Sequence, residues 1–102
     1  MATRLELHEE LITIPEIHGH AYYQPPEGYK LQYPCIVYDL DYEHTFDADN
    51  LIYNRRKRYS ITVMDRSSES VVAEQVGEMF QIKMERHFVS DNLHHYVYNL
   101  IW

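Results

Sequence analysis

The groups in this 102-residue sequence with chemistry to offer are seven histidines, one cysteine, a row of carboxylates and a run of four basic residues. His18 and His20 flank Gly19, and alternate residues of a strand share a face, so this pair could hold one ion between them. His94 and His95 are adjacent and would point to opposite faces. Two ligands do not make a zinc site, so solvated or sheet-face histidines are the preferred reading, with no metal and no cofactor expected. Asp39, Asp41 and Glu43 alternate along one predicted strand, a pattern that suits either a hard cation or the polar outer face of a sheet. Like charges in such a row are tolerated when solvated or countered, which favours the outer face. Asp47-Ala48-Asp49 opens in the manner of a calcium loop, but Ile52 stands where the glycine is needed and Arg58 where the closing glutamate is needed. Cys35 follows Pro34 at the start of a strand and is expected to be a buried or edge thiol rather than a nucleophile. No catalytic constellation assembles from these residues, and the three glycines fit no phosphate loop.

Composition narrows the function classes further. Nine Lys and Arg stand against sixteen Asp and Glu, a formal charge of −7, which argues against the broad electrostatic footprint of a nucleic-acid binder despite the patch Arg55-Arg56-Lys57-Arg58. That patch is read as serving strand pairing or subunit contact. A mean hydropathy of −0.51 and the lack of a long apolar run exclude a helical membrane span. The acidic start, Met1–Glu10, lacks the basic and apolar regions of a signal peptide. One cysteine leaves no intramolecular disulfide to form. Ten tyrosines are many for this length, and tyrosine is enriched where surfaces become partly buried against partners. A chain of this size buries roughly two-thirds of its unfolded surface, so assembly with further copies would add useful stability.

These residues need a scaffold, and hydrophobic periodicity supplies one as a single domain over residues 1–102. Leu5, His8, Leu11 and Ile12 fall on helical spacing up to Pro15, predicting a weak N-terminal helix. Ile17–Tyr23 is expected to be a strand, and Gln24–Pro34, with three prolines and Gly28, an extended loop able to reach over a neighbouring subunit. In Cys35–His44, Ile36, Tyr38, Leu40 and Tyr42 alternate with Val37, Asp39, Asp41 and Glu43. Asp47–Asn50 carries turn chemistry, and Leu51–Tyr53 with Arg58–Met64 forms the returning strand of an antiparallel hairpin, with acids facing bases across it. Val72, Val76, Met79 and Phe80 predict an amphipathic helix capped by Ser67 or Ser68, with Glu69 in its first turn. The two-residue period returns from Phe80 through Ile82, Met84 and Phe88, turns at Ser90-Asp91-Asn92, and ends with Tyr96, Tyr98, Leu100 and Trp102 on one face. The expected fold is α+β: a mostly antiparallel sheet, one main amphipathic helix packed on one face, and the weak N-terminal helix.

Five fragments carry a family resemblance: Gln24-Pro25-Pro26-Glu27; Tyr33-Pro34-Cys35-Ile36-Val37-Tyr38; Ala48-Asp49-Asn50 followed by Tyr53; Arg58-Tyr59-Ser60-Ile61-Thr62-Val63-Met64-Asp65; and Ser90-Asp91-Asn92-Leu93-His94-His95. Together the chain, from about Tyr22 to Trp102, resembles the tail-completion or tail-terminator proteins that join tail to head in long-tailed bacteriophages. The resemblance implies a small α+β subunit that is not an enzyme and that forms a ring, typically of six copies. The ring caps the tail tube and offers a docking surface to the head connector, in a virion assembled in the host bacterial cytoplasm. Its partners would be copies of itself, the tube protein and the connector protein, with no membrane and no sequence-specific nucleic acid. Subunit contacts are expected at Tyr22, Tyr23, Tyr29, Arg55, Arg56 and Arg58. The N-terminal helix that usually precedes the core of this group is weak here. A head-completion or stopper protein on the other side of the same joint is the alternative. A small metal-dependent nuclease built on Asp39, Asp41 and Glu43 with Lys57 or Lys83 is the remote one.

Overall fold

The computed structural model describes the backbone of residues 3–48 and 51–102, with the side chains of residues 42–56 outside the description. Its elements are α1 (Arg4–Leu11), a 3₁₀ turn (Pro15–Ile17), β1 (Ala21–Tyr23), β2 (Cys35–Ala48), β3 (Leu51–Asp65), α2 (Val71–Phe80), β4 (Met84–Ser90) and β5 (Leu93–Ile101). The five strands form one sheet in the order β1-β2-β3-β5-β4. Only β1 runs parallel to its neighbour, β2; the other three pairings are antiparallel. This is the expected α+β architecture, with the sheet dominant and α2 packed against it.

One face of the sheet makes the core. Ile36 and Tyr38 on β2, Tyr59, Ile61 and Val63 on β3, and Tyr96, Tyr98 and Leu100 on β5 recur at every second residue and are buried together. From above, Leu7 and Leu11 of α1, Ile14, Ile17, and Val72, Ala73 and Val76 of α2 close the same cluster. Two phenols tie α2 and the turn before it to the sheet, Tyr98 donating to the Ala73 carbonyl at 2.8 Å and Tyr96 to the Ser67 carbonyl at 2.9 Å. Burial pushes the pKa of both upward.

Several expectations shift in detail. In α1 the buried stripe is Leu7 and Leu11, one turn apart, while Leu5 is 62% and Ile12 41% exposed. Thr3 caps the helix by accepting from the Glu6 amide, and that starting point turns Leu7 rather than Leu5 toward the sheet. The predicted strand Ile17–Tyr23 is only Ala21–Tyr23, because Pro15 opens a 3₁₀ turn and His18 and Gly19 follow in left-handed conformations (φ 50° and 80°). Helix α2 is capped by Ser70, not Ser67 or Ser68; its hydroxyl accepts from the Ala73 amide at 3.2 Å. Asp65 positions that cap by accepting from the Ser70 hydroxyl at 2.8 Å and from the Ser67 amide at 3.1 Å. Glu69 thus precedes the helix and Glu74 is the acid of its first turn. Met79 is 38% exposed instead of buried, Ala73 holding the core position. Gln81 ends α2 in a left-handed conformation, so the strand resumes at Met84 rather than at Phe80. The Ser90-Asp91-Asn92 turn is a two-residue hairpin, Asp91 and Asn92 both at positive φ (53° and 62°) and closed by the Ser90–Leu93 pair. The predicted Asp47–Asn50 turn falls partly on residues 49 and 50, outside the described residues.

Candidate assembly surface

Sheet register decides which parts of the hairpin have neighbours. Strand β1 covers β2 only at Ile36, Val37 and Tyr38, and β5 covers β3 only from Arg58 to Asp65. The last contact on that side is the Trp102 amide donating to the Lys57 carbonyl at 2.8 Å. Among the described residues, beyond this line β2 and β3 pair only with each other, from Tyr42 opposite Arg58 to Ala48 opposite Leu51, with a second register shift between Phe46 and Asp47. Seven residues of strand reach about 24 Å, and the molecule is drawn out accordingly, 50 Å long against 26 and 24 Å. Its radius of gyration of 14.7 Å exceeds the roughly 13 Å of a compact chain this long. A two-stranded ribbon is marginal by itself in water.

At the foot of the ribbon sits a β-bulge. Leu40 lies opposite Tyr59 and Tyr42 opposite Arg58, so Asp41 is an extra residue on β2. Asp41 accepts from Arg58 Nε at 2.7 Å and also from Arg58 Nη2. The bulge puts β2 one residue out of step from Tyr42 onward, which corrects two expectations. Tyr42 no longer follows the Ile36–Tyr38 alternation, and by register Glu43 leaves the row of Asp39. A nuclease-like row of Asp39, Asp41 and Glu43 is therefore broken by the bulge, and Asp41 is engaged by Arg58. Asp39 stays on the outer face opposite Ser60, its pKa raised by burial. The expected charge pairing across the hairpin is present at Asp41–Arg58, and the register sets Glu43 opposite Lys57.

The expected contact residues separate into groups. Tyr22 lies on the outer face opposite Val37, and Tyr29 of the 24–34 loop packs edge-on against it with ring centroids 5.6 Å apart. Tyr29 is 54% exposed. Tyr23 faces the other way, 5.0 Å from the Tyr38 ring and 6.3 Å from Tyr59, with the Arg4 guanidinium 4.6 Å over its face. It belongs with the core and α1 rather than with the loop. There His8 Nδ1 and the Tyr38 hydroxyl are 2.7 Å apart, and Arg4 donates to the same hydroxyl at 3.3 Å. Arg58 is in the Asp41 pair, and the side chains of Arg55 and Arg56 lie outside the described residues, with their backbone on the ribbon. Much of the tyrosine content is used inward: Tyr38, Tyr59, Tyr96 and Tyr98 are core residues.

The histidines are likewise dispersed. His18 is in a left-handed turn, so it and His20 share no strand face. His94 and His95 do point to opposite faces: His94 Nδ1 lies 2.9 Å from His87 Nε2, and His95 stacks on Phe88 with centroids 4.5 Å apart. Among the described residues, no three His, Cys, Asp or Glu side chains converge as a metal site. Cys35 is buried on the outer side of β2, its thiol pKa pushed up to about 12 by desolvation, which keeps it a neutral thiol at physiological pH. No described helix is long and apolar enough to cross a membrane.

Among the described residues, no helix packs on the outer face of the sheet, although Cys35 and Val37 on that face are buried. By register it presents Tyr22, Val37, Thr62, Val97 and Arg86 in one row and Met64, His95 and Phe88 in the next. Arg86 lies 4.8 Å over the Phe88 ring. The ribbon was not evident from local pattern, since its freedom depends on where β1 and β5 stop. The only signal was the length of the two strand runs. No protein-family model matches the chain, and no curated protein matches it.

Proposed function

We propose that this protein is a structural subunit of a long-tailed phage virion, assembling as a ring, of six copies by resemblance, that caps the tail tube and joins tail to head. In this reading it is not an enzyme; its partners are further copies, the tube protein and the head connector. Its place is the tail end at the head–tail junction, after assembly in the bacterial cytoplasm. The observation that carries the reading is the β2–β3 ribbon, which extends past both flanking strands and has backbone edges open on either side. Such edges are templates for pairing with another chain, and a two-stranded ribbon, marginal by itself, gains stability from a partner. The exposed Tyr29 beside Tyr22 and the helix-free outer face give further area for subunit contact.

The test is capture: tubes assembled without their cap are mixed with the purified chain, and bound protein is counted by electron microscopy at the tube ends. Binding at one end only, with restored joining to heads, is the expected result. Binding to isolated head connectors and not to tubes would instead mark a head-side stopper, and binding to neither would overturn both.

A further inference from the structure

Strand β4 ends the sheet. Among the described residues it pairs with β5 alone, and all seven of its residues are exposed. Met84, Phe88 and Val89 are large apolar side chains left in that position. Sheets blunt such an edge with proline, lysine or brevity; the opposite edge, β1, has only three residues, whereas β4 contains neither proline nor lysine. Its bulge lies at its start, between Met84 and Arg86, and leaves Arg86–Ser90 regular. With one acid, Glu85, and one base, Arg86, β4 is a neutral strip on a chain of net charge −7, where copies approach with little repulsion.

Hydrogen-bond alternation identifies what fits this edge. A two-residue hairpin closes on a hydrogen-bonded pair, here Ser90 with Leu93, and the two kinds of pair alternate along antiparallel strands. Ser90, Phe88 and Arg86 thus turn their N–H and C=O groups to β5, while His87 and Val89 turn theirs outward. An antiparallel copy of β4 centred on Phe88 sets His87 opposite Val89 of the second copy and Val89 opposite its His87, so every one of these outward groups finds a partner. Phe88 then faces Phe88 of the second copy, beside the His95 ring already stacked on it, and Arg86 faces Ser90. A register centred on Arg86 would oppose two guanidinium groups, and one centred on His87 would have to pair the bulge residue Glu85.

We propose that β4 pairs antiparallel with β4 of a second copy about a two-fold axis at Phe88, joining the two five-stranded sheets edge to edge. The contact goes beyond the assembly reading above and does not rest on it, because a two-fold contact closes after two copies whereas a ring needs unlike patches.

The experiment combines sedimentation velocity on the full chain, from about 10 µM to about 1 mM, with cysteine cross-linking. Val89→Pro removes an outward N–H at an edge position that tolerates proline, and leaves the bonds to β5 in place. It is expected to stay folded by circular dichroism and to dimerise at least about tenfold more weakly than the native chain. Directly opposed residues in a pair without hydrogen bonds have Cα atoms about 4.5 Å apart, within disulfide range, whereas the two copies of Arg86 would lie more than about 13 Å apart. Phe88→Cys should therefore give a covalent dimer on oxidation and Arg86→Cys should not, while the buried Cys35 leaves the native chain uncross-linked. A native chain monomeric throughout, a folded Val89→Pro that associates normally, or cross-linking through position 86 as readily as through 88 overturns the contact. If Val89→Pro fails to fold, the two cysteine variants decide. Tail-tube capture separates this from the function: Val89→Pro that still binds tube ends leaves that function standing whether or not the dimer forms, and a Phe88-centred dimer without tube binding leaves the contact standing alone.

Discussion

Gly77 sits inside α2 where any residue but proline would be more helical, and the structure indicates what a methyl group would meet there. A Cβ built on Gly77 would lie 3.5 Å from the Ile82 carbonyl oxygen, 3.7 Å from Tyr98 Cε2 and 3.9 Å from the Tyr98 hydroxyl. All three are ordinary van der Waals contacts, and no positive φ holds the position to glycine. The Gly77 carbonyl, which receives the Gln81 and Ile82 amides at the end of the helix, is unaffected by a side chain. Gly77→Ala therefore gains the helix-propensity difference, about 0.8–1.0 kcal/mol, most of it by restricting the unfolded chain. The methyl also fills space beside the Tyr98 ring, so we expect a net stabilisation of about 1 kcal/mol. For a domain of this size that raises the midpoint of thermal unfolding by roughly 4–8 °C. Urea titration with an unchanged m-value would assign the gain to stability rather than to a more compact unfolded state. A midpoint that falls would refute the reasoning, showing that α2 and β5 approach more closely than these distances and that glycine is required for packing.

Three further outcomes follow from the same geometry. Ser70→Ala removes the α2 cap and the donor to Asp65, and should cost about 1–2 kcal/mol in urea unfolding; an unchanged midpoint would show that Ser67 or Ser68 takes over. Cys35 should react with an aromatic disulfide reagent only at the rate of unfolding, since the thiol is buried and its pKa is pushed up to about 12; rapid labelling of native protein at pH 8 would contradict this. Asp39→Asn should stabilise the fold at neutral pH. The folded carboxyl binds its proton more tightly than the unfolded one, so its unfavourable contribution is complete above the raised folded pKa and gone below the ordinary value of 3.8. Parallel stability–pH curves for the variant and the native chain across that window would refute the assignment.

What could be read from the residues was mostly local. The alternation of Tyr59, Ile61 and Val63, and of Tyr96, Tyr98 and Leu100, names the buried face of two strands without any tertiary knowledge, because one face of an antiparallel sheet meets the core. The Asp91-Asn92 turn is visible for the same reason, both residue types tolerating positive φ. Three features escaped that logic. The extra residue Asp41 carries no signal of its own, and a single bulge shifts the register of the residues that follow it, here until a second shift between Phe46 and Asp47. The parallel pairing of β1 depends on a return path through the 24–34 loop. The choice of Ser70 over two neighbouring serines depends on Asp65, five residues earlier, which fixes the hydroxyl in place. For the candidate surface, residue types pointed to Tyr22 and Tyr29 together, but placed Tyr23 with them when strand alternation sends it to the core.

The strand order has a consequence for how the chain finds its structure. Two of the antiparallel pairings, β2 with β3 and β4 with β5, join consecutive segments and need only short loops to close. The pairing of β3 with β5 instead closes across α2 and β4, and brings Tyr96 and Tyr98 under the α2 segment that their hydroxyls bind. Loop-closure entropy then sets the order: hairpins first, and the β3–β5 seam with its helix as the rate-limiting event. Substitutions along that seam, such as Val63→Ala, and changes in the β2–β3 hairpin that forms before it are both expected to slow refolding and to leave the chevron's unfolding arm little changed.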